Sequence, residues 1–464
     1  MDSSPDCRIL PAPAVPVGSV TFALLEPVDL ERAPWASNTS ERIVFDHLYE
    51  TLFTIDCEDG VRPGLAVSWT RDKGGRCWTF DLRGNARFWD GTPVTARDVV
   101  ESWRDALTLD TVIDSASVVT DRTLRVYLGQ PSARVPSALT ASVYAVTKPS
   151  GDSRWLMGSG PYRIGSVDIT AYPASRRTIT VYPAFGHTGP VIRFVETTVD
   201  EARDGLGHTI DGMVTADPMV IDYAAGRPRC STVALPWERT YVLLSSARVD
   251  ELATGRTFAA IPLDVLNTLA RDAVRGDARG FERPSWWDEG SLCGESPAHP
   301  SNLALDRSRT SAFGSSSGTR RIVYATDDPV ARGLAERIVA LAAADTARSR
   351  EAKAVASAIP GFASGSSPTI AVGLTRDEFE RSVRRGDESA YILSIPRQPP
   401  DPCFQARQIV ERVPWLAGTG WSFADGLVPL VDARSHLIIE KDTVELTVDG
   451  YGSIMITPAQ QEKR

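Results

Sequence analysis

Tyr49-Glu50-Thr51-Leu52-Phe53, Pro63-Gly64-Leu65-Ala66-Val67-Ser68-Trp69, Trp78-Thr79-Phe80-Asp81-Leu82-Arg83 and Phe88-Trp89-Asp90-Gly91-Thr92-Pro93-Val94-Thr95-Ala96 follow one another between residues 49 and 100. This run predicts two short strands and a hairpin over 53–83, with a polar turn around Lys73-Gly74-Gly75. Thr95 with Asp98 makes a capping box, and the helix it opens carries the stripe Val99, Trp103 and Leu107. Upstream, Gly18–Leu24 reads as an opening strand. Asn38 is a good N-cap with Glu41 at the capping-box position, and Val44, Leu48 and Leu52 repeat at helical spacing behind it. Downstream, Thr123–Leu128 alternates as a strand does. Gly158-Ser159-Gly160-Pro161-Tyr162-Arg163-Ile164 reads as a turn entering a strand, its glycines suited to positive φ and its proline fixing the next residue.

In this order the 49–100 segment resembles the signature segment of the family 5 extracellular solute-binding proteins, the oligopeptide, dipeptide and nickel receptors of ABC importers. The Gly158–Ile164 stretch is similar to that family's Gly-Thr/Ser-Gly-Pro-Tyr turn, at the expected distance. Strand and helix signals at Val191–Val195, Asp200–Leu206 and Asp211–Val214 fit the family's next stretch. The resemblance implies an α/β, two-lobed, periplasmic-binding-protein-like clamshell of the type II, three-subdomain family 5 variety, with two hinge crossovers. After a flexible N-terminus (1–14), lobe I would take residues 15–245 plus 424–464, with an inserted subdomain at about 50–165. Lobe II would take 246–423.

The pattern thins in lobe II. One helix-like run (Leu263–Val274) precedes a Trp/Pro/Gly-rich loop from Arg283 to Pro300 and a Ser/Gly/Arg linker at 308–319. A strand at Ile322–Thr326, a helix at Pro329–Ala344, a helix capped by Thr375 and Glu378 and closed at Gly386, and a strand at Tyr391–Ile395 follow. Leu427–Leu430 through His436–Ile439 resembles the return strand into lobe I.

At 464 residues the chain exceeds one compact core. Its 42% hydrophobic and 23% charged content is that of a globular protein. A net charge of −9 without a basic block argues against nucleic acid as a partner. No window approaches the ~18 apolar residues of a membrane span, and no signal peptide is visible. Met-Asp-Ser-Ser-Pro-Asp-Cys reads like the start of a mature exported chain whose leader lies outside this sequence. The localisation expected is therefore extracytoplasmic, periplasmic or as a cell-surface lipoprotein. Six cysteines without CxxC spacing argue against zinc. Cys57 and Cys77 flank a polar turn and are candidates for a hairpin-bridging disulfide. Cys7 with Cys230 and Cys293 with Cys403 are the remaining pairs on that reading, and six reduced thiols are the alternative.

Family ligands lie between the lobes, so the resemblance points to the loop after the first strand, the crossovers and the strand end before an Asp-Pro turn. Trp35 sits in that first loop, where an indole stacks on a ligand or plugs two subdomains, with Ser37 and Asn38 as adaptable hydrogen-bonders. In peptide-binding members a carboxylate three residues before the Asp-Pro pairs with the peptide ammonium. Counting back from Asp401-Pro402, this chain has Gln398, with Ile395 at the family's tryptophan position. A neutral amide cannot supply that charge-assisted bond. Arg397 beside it is a candidate contact for an anionic group, or a solvated loop arginine. Trp415 and Trp421 flank Gly418-Thr419-Gly420 near the presumed return hinge, as ligand platforms or hinge packing. Trp69, Trp78 and Trp89 are read as subdomain core.

The five histidines show no metal-binding spacing, and no nucleophile elbow or phosphate-cradling loop occurs. His47, in the first amphipathic helix, reads as a surface or packing residue. The expected function is thus a substrate-binding protein of an ABC importer, monomeric, without cofactor, metal or catalytic residues. It would capture a small solute, peptide-like or otherwise polar or aromatic, by lobe closure and present it to an ABC permease. The alternative is a clamshell protein repurposed as an enzyme or as a ligand-sequestering protein outside transport.

Overall fold

The structure is a computed structural model. It describes residues 7–11, 17–58, 60–104, 113–132, 135, 137–151, 155–170, 176–236, 239–245, 319–356, 368–396, 412–413, 415, 427–456 and 459–460. Leu107, the Leu263–Val274 run, the Arg283–Pro300 loop and the 308–319 linker (all but Thr319) lie outside these residues.

The chain divides into two units. The first comprises residues 1–215, 219–236 and 435–464, and the second 216–218 and 237–434. In the first unit a seven-stranded sheet has the spatial order Tyr162–Thr170, Arg176–Pro183, Val191–Glu196, Ser19–Leu24, Gly212–Thr215, His436–Glu440, Cys230–Ala234. The Ser19–Leu24 strand runs parallel to both of its neighbours. Its alternation splits its side chains between two cores. Val20, Phe22 and Leu24 face the helix Thr39–Leu48, while Ala23 packs with Ala202, Met213, Val220 and Ile438 on the other side.

The 49–100 segment builds a separate core within this unit. Phe53–Ile55 and Val61–Pro63 form one hairpin. Ala66–Arg71, Cys77–Leu82, Thr123–Leu128 and Ile113–Thr120 form a four-stranded antiparallel sheet in that order. Its inner face carries Trp78, Phe80, Leu124 and Val126, closed over by the short helix Ala96–Ser102. The Thr95–Asp98 capping box is complete. Trp103 is fully buried and donates its indole N–H to the Tyr144 carbonyl at 2.7 Å. Trp78 is buried, whereas Trp69 and Trp89 are half-buried and pack from the edges, Trp69 against Phe53 and Trp89 against Tyr49.

Three expectations are corrected here. Leu52 does not continue the first helix, which ends at Leu48 because Tyr49 turns to an extended conformation. Instead the Leu52 carbonyl accepts the Gly64 and Ala66 N–H groups, and its side chain enters the inserted core. Gly158 and Gly160 do not have positive φ. They are glycines because this segment crosses the C-terminal end of the first helix backbone to backbone. A Cβ at Gly158 would lie 2.0 Å from the Leu48 carbonyl oxygen, and one at Gly160 would lie 2.5 Å from the Leu48 carbonyl carbon.

The third correction concerns the cysteines. Cys57 closes the Phe53–Pro63 hairpin region and Cys77 opens a strand of a different sheet, so no hairpin joins them. The disulfide is Cys7–Cys57, with Cα atoms 5.6 Å apart, and Cys77 and Cys230 are free thiols. Cys293 and Cys403 lie outside the described residues. The bridge ties the strand Arg8–Leu10, paired with Leu446–Val448, to the inserted subdomain. It closes a loop of 50 residues, and removing it by Cys57→Ser is expected to cost about 4 kcal/mol of stability. Denaturant unfolding of the variant checks this, and a midpoint equal to the unreduced parent's would contradict it.

The second unit is a five-stranded sheet ordered Thr369–Leu374, Arg320–Ala325, Ala390–Pro396, Arg239–Ser245, Leu427–Ala433. The first three strands are parallel, and Arg239–Ser245 is antiparallel to both of its neighbours. The expected lobe I boundaries, 15–245 and 424–464, take in Arg239–Ser245, whose Tyr241–Leu244 run reads as a crossover towards the second lobe, and Leu427–Ala433; both are strands of this sheet. A helix covers each face. Tyr241, Leu243 and Ile392 pack against Val330, Leu334 and Ile338, while Val242, Leu244 and Leu393 pack against Phe379 and Val383.

The helix that opens at Pro329 runs to Ala356, beyond the expected end at Ala344. Its apolar stripe stops, but Ala, Arg, Glu and Lys are strong helix formers and carry it on. Asp328 anchors its start by accepting the Ala331 N–H at 2.9 Å and the buried Tyr241 hydroxyl at 2.9 Å. The helix Arg376–Arg385 has the expected Thr375–Glu378 capping box and ends at Gly386 in the left-handed conformation.

Candidate functional site

Open parallel sheets place binding loops at the carboxyl ends of their strands, where neighbouring connections diverge. In the first unit that position is the loop after Leu24. The chain leaves Ser19–Leu24 between two parallel neighbours and returns as the helix Thr39–Leu48. A set of carboxylates fixes the loop backbone. Glu196, at the end of the adjacent parallel strand, accepts the Val28 N–H at 2.8 Å and pairs with Arg177 at 2.6 Å. Glu26 accepts the Thr39 N–H at 2.9 Å, and the Ser40 hydroxyl accepts the Glu26 N–H at 3.1 Å.

Glu41 is the centre of this arrangement and only 2% exposed. One carboxylate oxygen accepts the Asp29 N–H at 3.0 Å; the other accepts the Ser37 N–H at 2.6 Å and the Ser37 hydroxyl at 2.7 Å. The reciprocal half of the expected capping box is therefore shifted by one residue. Asn38 caps the helix by accepting the Glu41 N–H at 2.8 Å, while the Glu41 carboxylate reaches back to Ser37. The Asn38 amide also donates to the Pro27 carbonyl at 2.9 Å. Val28, Leu30 and Ala33 are buried beneath the loop.

Ser37 and Asn38 thus shape the loop. Trp35 differs from them. It follows the cis Ala33–Pro34 bond and stays 39% exposed on a segment whose backbone is held on both sides. Such an indole is pre-organised to stack on a flat or apolar group at small entropic cost. The sequence marks the Asn38 cap but not Glu196, and gives Glu41 only a capping role. The available signal was the run of acidic residues around a Pro-rich loop, which composition alone does not distinguish from a solvated surface.

In the second unit the carboxyl ends of the parallel strands lead into Thr326–Pro329, Thr375 and the residues after Pro396. Arg397 and Gln398 follow Pro396 directly and lie outside the described residues, as does Trp421. Trp415 is described and is committed to packing. Its indole N–H donates to the Val383 carbonyl at 2.8 Å, and its ring fills the space above Gly386, where a Cβ would lie 2.8 Å from it. Asp327 pairs with Arg376 at 2.7 Å across the same end of the sheet. Among the described residues no group of three His, Cys, Asp or Glu side chains is placed to hold a metal ion.

Comparison with known proteins agrees with this architecture. Residues 60–172 match the model of bacterial extracellular solute-binding proteins, family 5 Middle. The periplasmic oligopeptide-binding protein OppA of Escherichia coli (strain K12) is 40% identical over 93 residues, 20% of this chain and 16% of that protein. The nickel-binding periplasmic protein of Escherichia coli (strain K12) is 38% identical over 60 residues, 13% of this chain and 12% of that protein. The matched stretches thus span a small fraction of these relatives' own lengths.

Solved structures extend the likeness to the whole chain. NikA from Brucella suis in complex with Fe(III)-EDTA has a TM-score of 0.64 at 14% identity, covering 95% of this chain and 100% of that one. The dipeptide-binding protein from Pseudoalteromonas sp. SM9913 in complex with Met-Leu has a TM-score of 0.62 at 13% identity, covering 96% and 100%. At these identities the likeness establishes the fold, the family 5 periplasmic-binding-protein fold. Residues 60–172 thus resemble the family's middle segment in sequence, and the family 5 periplasmic-binding-protein fold extends over 95% or more of the chain.

Proposed function

We propose that this chain is the extracytoplasmic substrate-binding protein of an ABC importer, which captures a small solute by closure of its two units and delivers it to a membrane permease. The observation that carries the reading is the loop 25–38: an exposed indole on a segment whose backbone is held by the buried Glu41 carboxylate, at the carboxyl end of a parallel strand. The family match over residues 60–172 and the periplasmic names of the relatives support the compartment and the partner. Ligand contacts made only in the closed state would shift the population towards closure by their differential affinity.

The ligand class is narrower than the family's. Gln398 stands where peptide-binding members carry a carboxylate for the ligand ammonium, and Arg397 is adjacent. A desolvated ammonium opposite an amide loses its charge-assisted partner. The solute is therefore a polar or aromatic compound, or a peptide-like molecule without a free α-ammonium, with Trp35, Arg397, Gln398 and Trp421 among its contacts.

Calorimetric titration with free and N-acetylated di- and tripeptides, aromatic carboxylates and Ni(II)–histidine tests this. Binding of an N-blocked or anionic probe, weakened about 10- to 100-fold by Trp35→Ala, is the expected result. Preference for free-ammonium peptides, unaffected by Trp35→Ala, would contradict it.

A further inference from the structure

The C-terminal hairpin, Leu446–Val448 and Ile454–Ile456, docks on the first helix through two neighbouring residues of opposite acid–base character. His47 is completely buried. Its Nδ1 lies 2.6 Å from the Ile43 carbonyl one turn back, which places the ring proton there, and Nε2 accepts the Ile456 N–H at 3.0 Å. That second bond exists only while the imidazole is neutral. Asp46, the preceding residue, lies beside Asp449 in the hairpin turn. Asp449 Oδ1 accepts the Tyr451 and Ser453 N–H groups at 2.9 and 2.8 Å and so organises the turn.

The turn joins three parts of the first unit. The Gly450 N–H donates to the Ile55 carbonyl at 3.2 Å, the Tyr451 hydroxyl lies 2.7 Å from that of Thr140, and the Arg42 guanidinium sits 5.1 Å from the Tyr451 ring. Among the described residues the charged and titratable groups facing Asp46 and His47 are Arg42 from the helix, Asp449 from the turn and Tyr162, whose ring meets the imidazole edge-on at 5.5 Å; the inserted subdomain contributes a carbonyl and a hydroxyl to the turn. Two carboxyls against one guanidinium are neutral as a set when they hold one proton.

We propose that Asp46 and His47 form a two-sided proton latch on the C-terminal hairpin: the imidazole grips it only when neutral, and the Asp46–Asp449 pair only when it carries a proton. Desolvation brings His47 from its ordinary 6.5 down to about 4. Desolvation first, then the Asp46 charge, pushes Asp449 from 3.8 up to about 8, and burial raises Asp46 as well. His47 therefore strengthens docking fully above 6.5 and loses that effect as pH falls towards 4. The carboxyl pair contributes fully below 3.8 and loses its effect as pH rises through 8. Between 4 and 6.5 the two dependences oppose each other. From 6.5 to 8 only the carboxyl pair acts, and the latch loosens.

Hydrogen exchange of the Leu446–Ile456 segment in the full-length protein, corrected for intrinsic rates, reads this directly. The opening constant is expected to rise about thirty-fold from pH 6.5 to 8, tenfold per pH unit for one proton, with the imidazole opposing that trend below 6.5. Asp449→Asn keeps an acceptor for Tyr451 and Ser453. It is expected to abolish the alkaline rise and to unmask increased opening below pH 6.5. Asp46→Asn takes away the second carboxylate charge, is expected to shrink the alkaline rise, and serves if the first variant does not fold. An alkaline rise of parental size in the folded variant overturns the proposal.

Discussion

Gly158→Ala is expected to destabilise the first unit by about 3 kcal/mol or more, at the upper end of what overpacking costs. The new methyl group would meet the Leu48 carbonyl oxygen at 2.0 Å and the Tyr49 ring at 2.6 Å. Neither neighbour can move away cheaply. Leu48 ends the first helix, and its carbonyl accepts the Gly160 N–H at 3.0 Å; Tyr49 is buried and stacked near Trp89. The Gly158 carbonyl accepts the Trp89 N–H at 3.1 Å, so displacing this strand also disturbs the inserted subdomain. Gly165→Ala is the matched control, since its closest contact would be the ring of the partly exposed Tyr182, which can swing outward, with the Thr180 carbonyl oxygen farther off at 3.3 Å. Equal loss of denaturation midpoint in the two variants would show that close backbone approach is not what requires the Gly158 glycine.

Glu41→Ala is expected to cost about 2–4 kcal/mol, because buried hydrogen bonds to a charged group are lost and their donors are left unpaired. The donors are the Asp29 N–H, the Ser37 N–H and the Ser37 hydroxyl. The greater consequence is functional. Without the carboxylate the segment 29–37 loses the ties that hold the Trp35 indole in place, so proteolysis and hydrogen exchange within it should rise sharply. Affinity for any bound solute should then fall at least as far as in Trp35→Ala. Glu41→Gln, which keeps the size but presents an amide donor to one set of N–H groups, should fall between. Unchanged exchange in 29–37 on Glu41→Ala would mean that the packing of Val28, Leu30 and Ala33 and the Glu26 and Glu196 bonds hold the loop without Glu41.

Much of the first unit is legible because its markers are residue types with few structural uses. The Thr95–Asp98 box, the aromatic alternation of Trp78 and Phe80, and Asn38 as a cap each have one good local solution. The Gly158–Gly160 turn was found for a reason that proved different. Glycine marks both positive φ and close approach, and sequence alone does not separate them. Arg239–Ser245 and Leu427–Ala433 were recognisable as strands, yet an apolar run carries no information about which sheet it joins. The Cys7–Cys57 bridge escaped for a similar reason. Its partner lies at the end of a tail, next to a three-residue strand whose pairing with Leu446–Val448 is long-range. At the candidate site, the indole was legible and the carboxylates behind it were not, because their role depends on which backbone N–H groups the fold brings to them.

The central claim, solute-driven closure, is tested most directly by small-angle X-ray scattering of the full-length protein with and without saturating amounts of a probe that gives heat in the calorimetric panel. Receptor function predicts a smaller radius of gyration in the bound state, and a Trp35→Ala variant that needs more probe to reach the same compact form. Binding heat with a scattering curve unchanged at every probe concentration would contradict it.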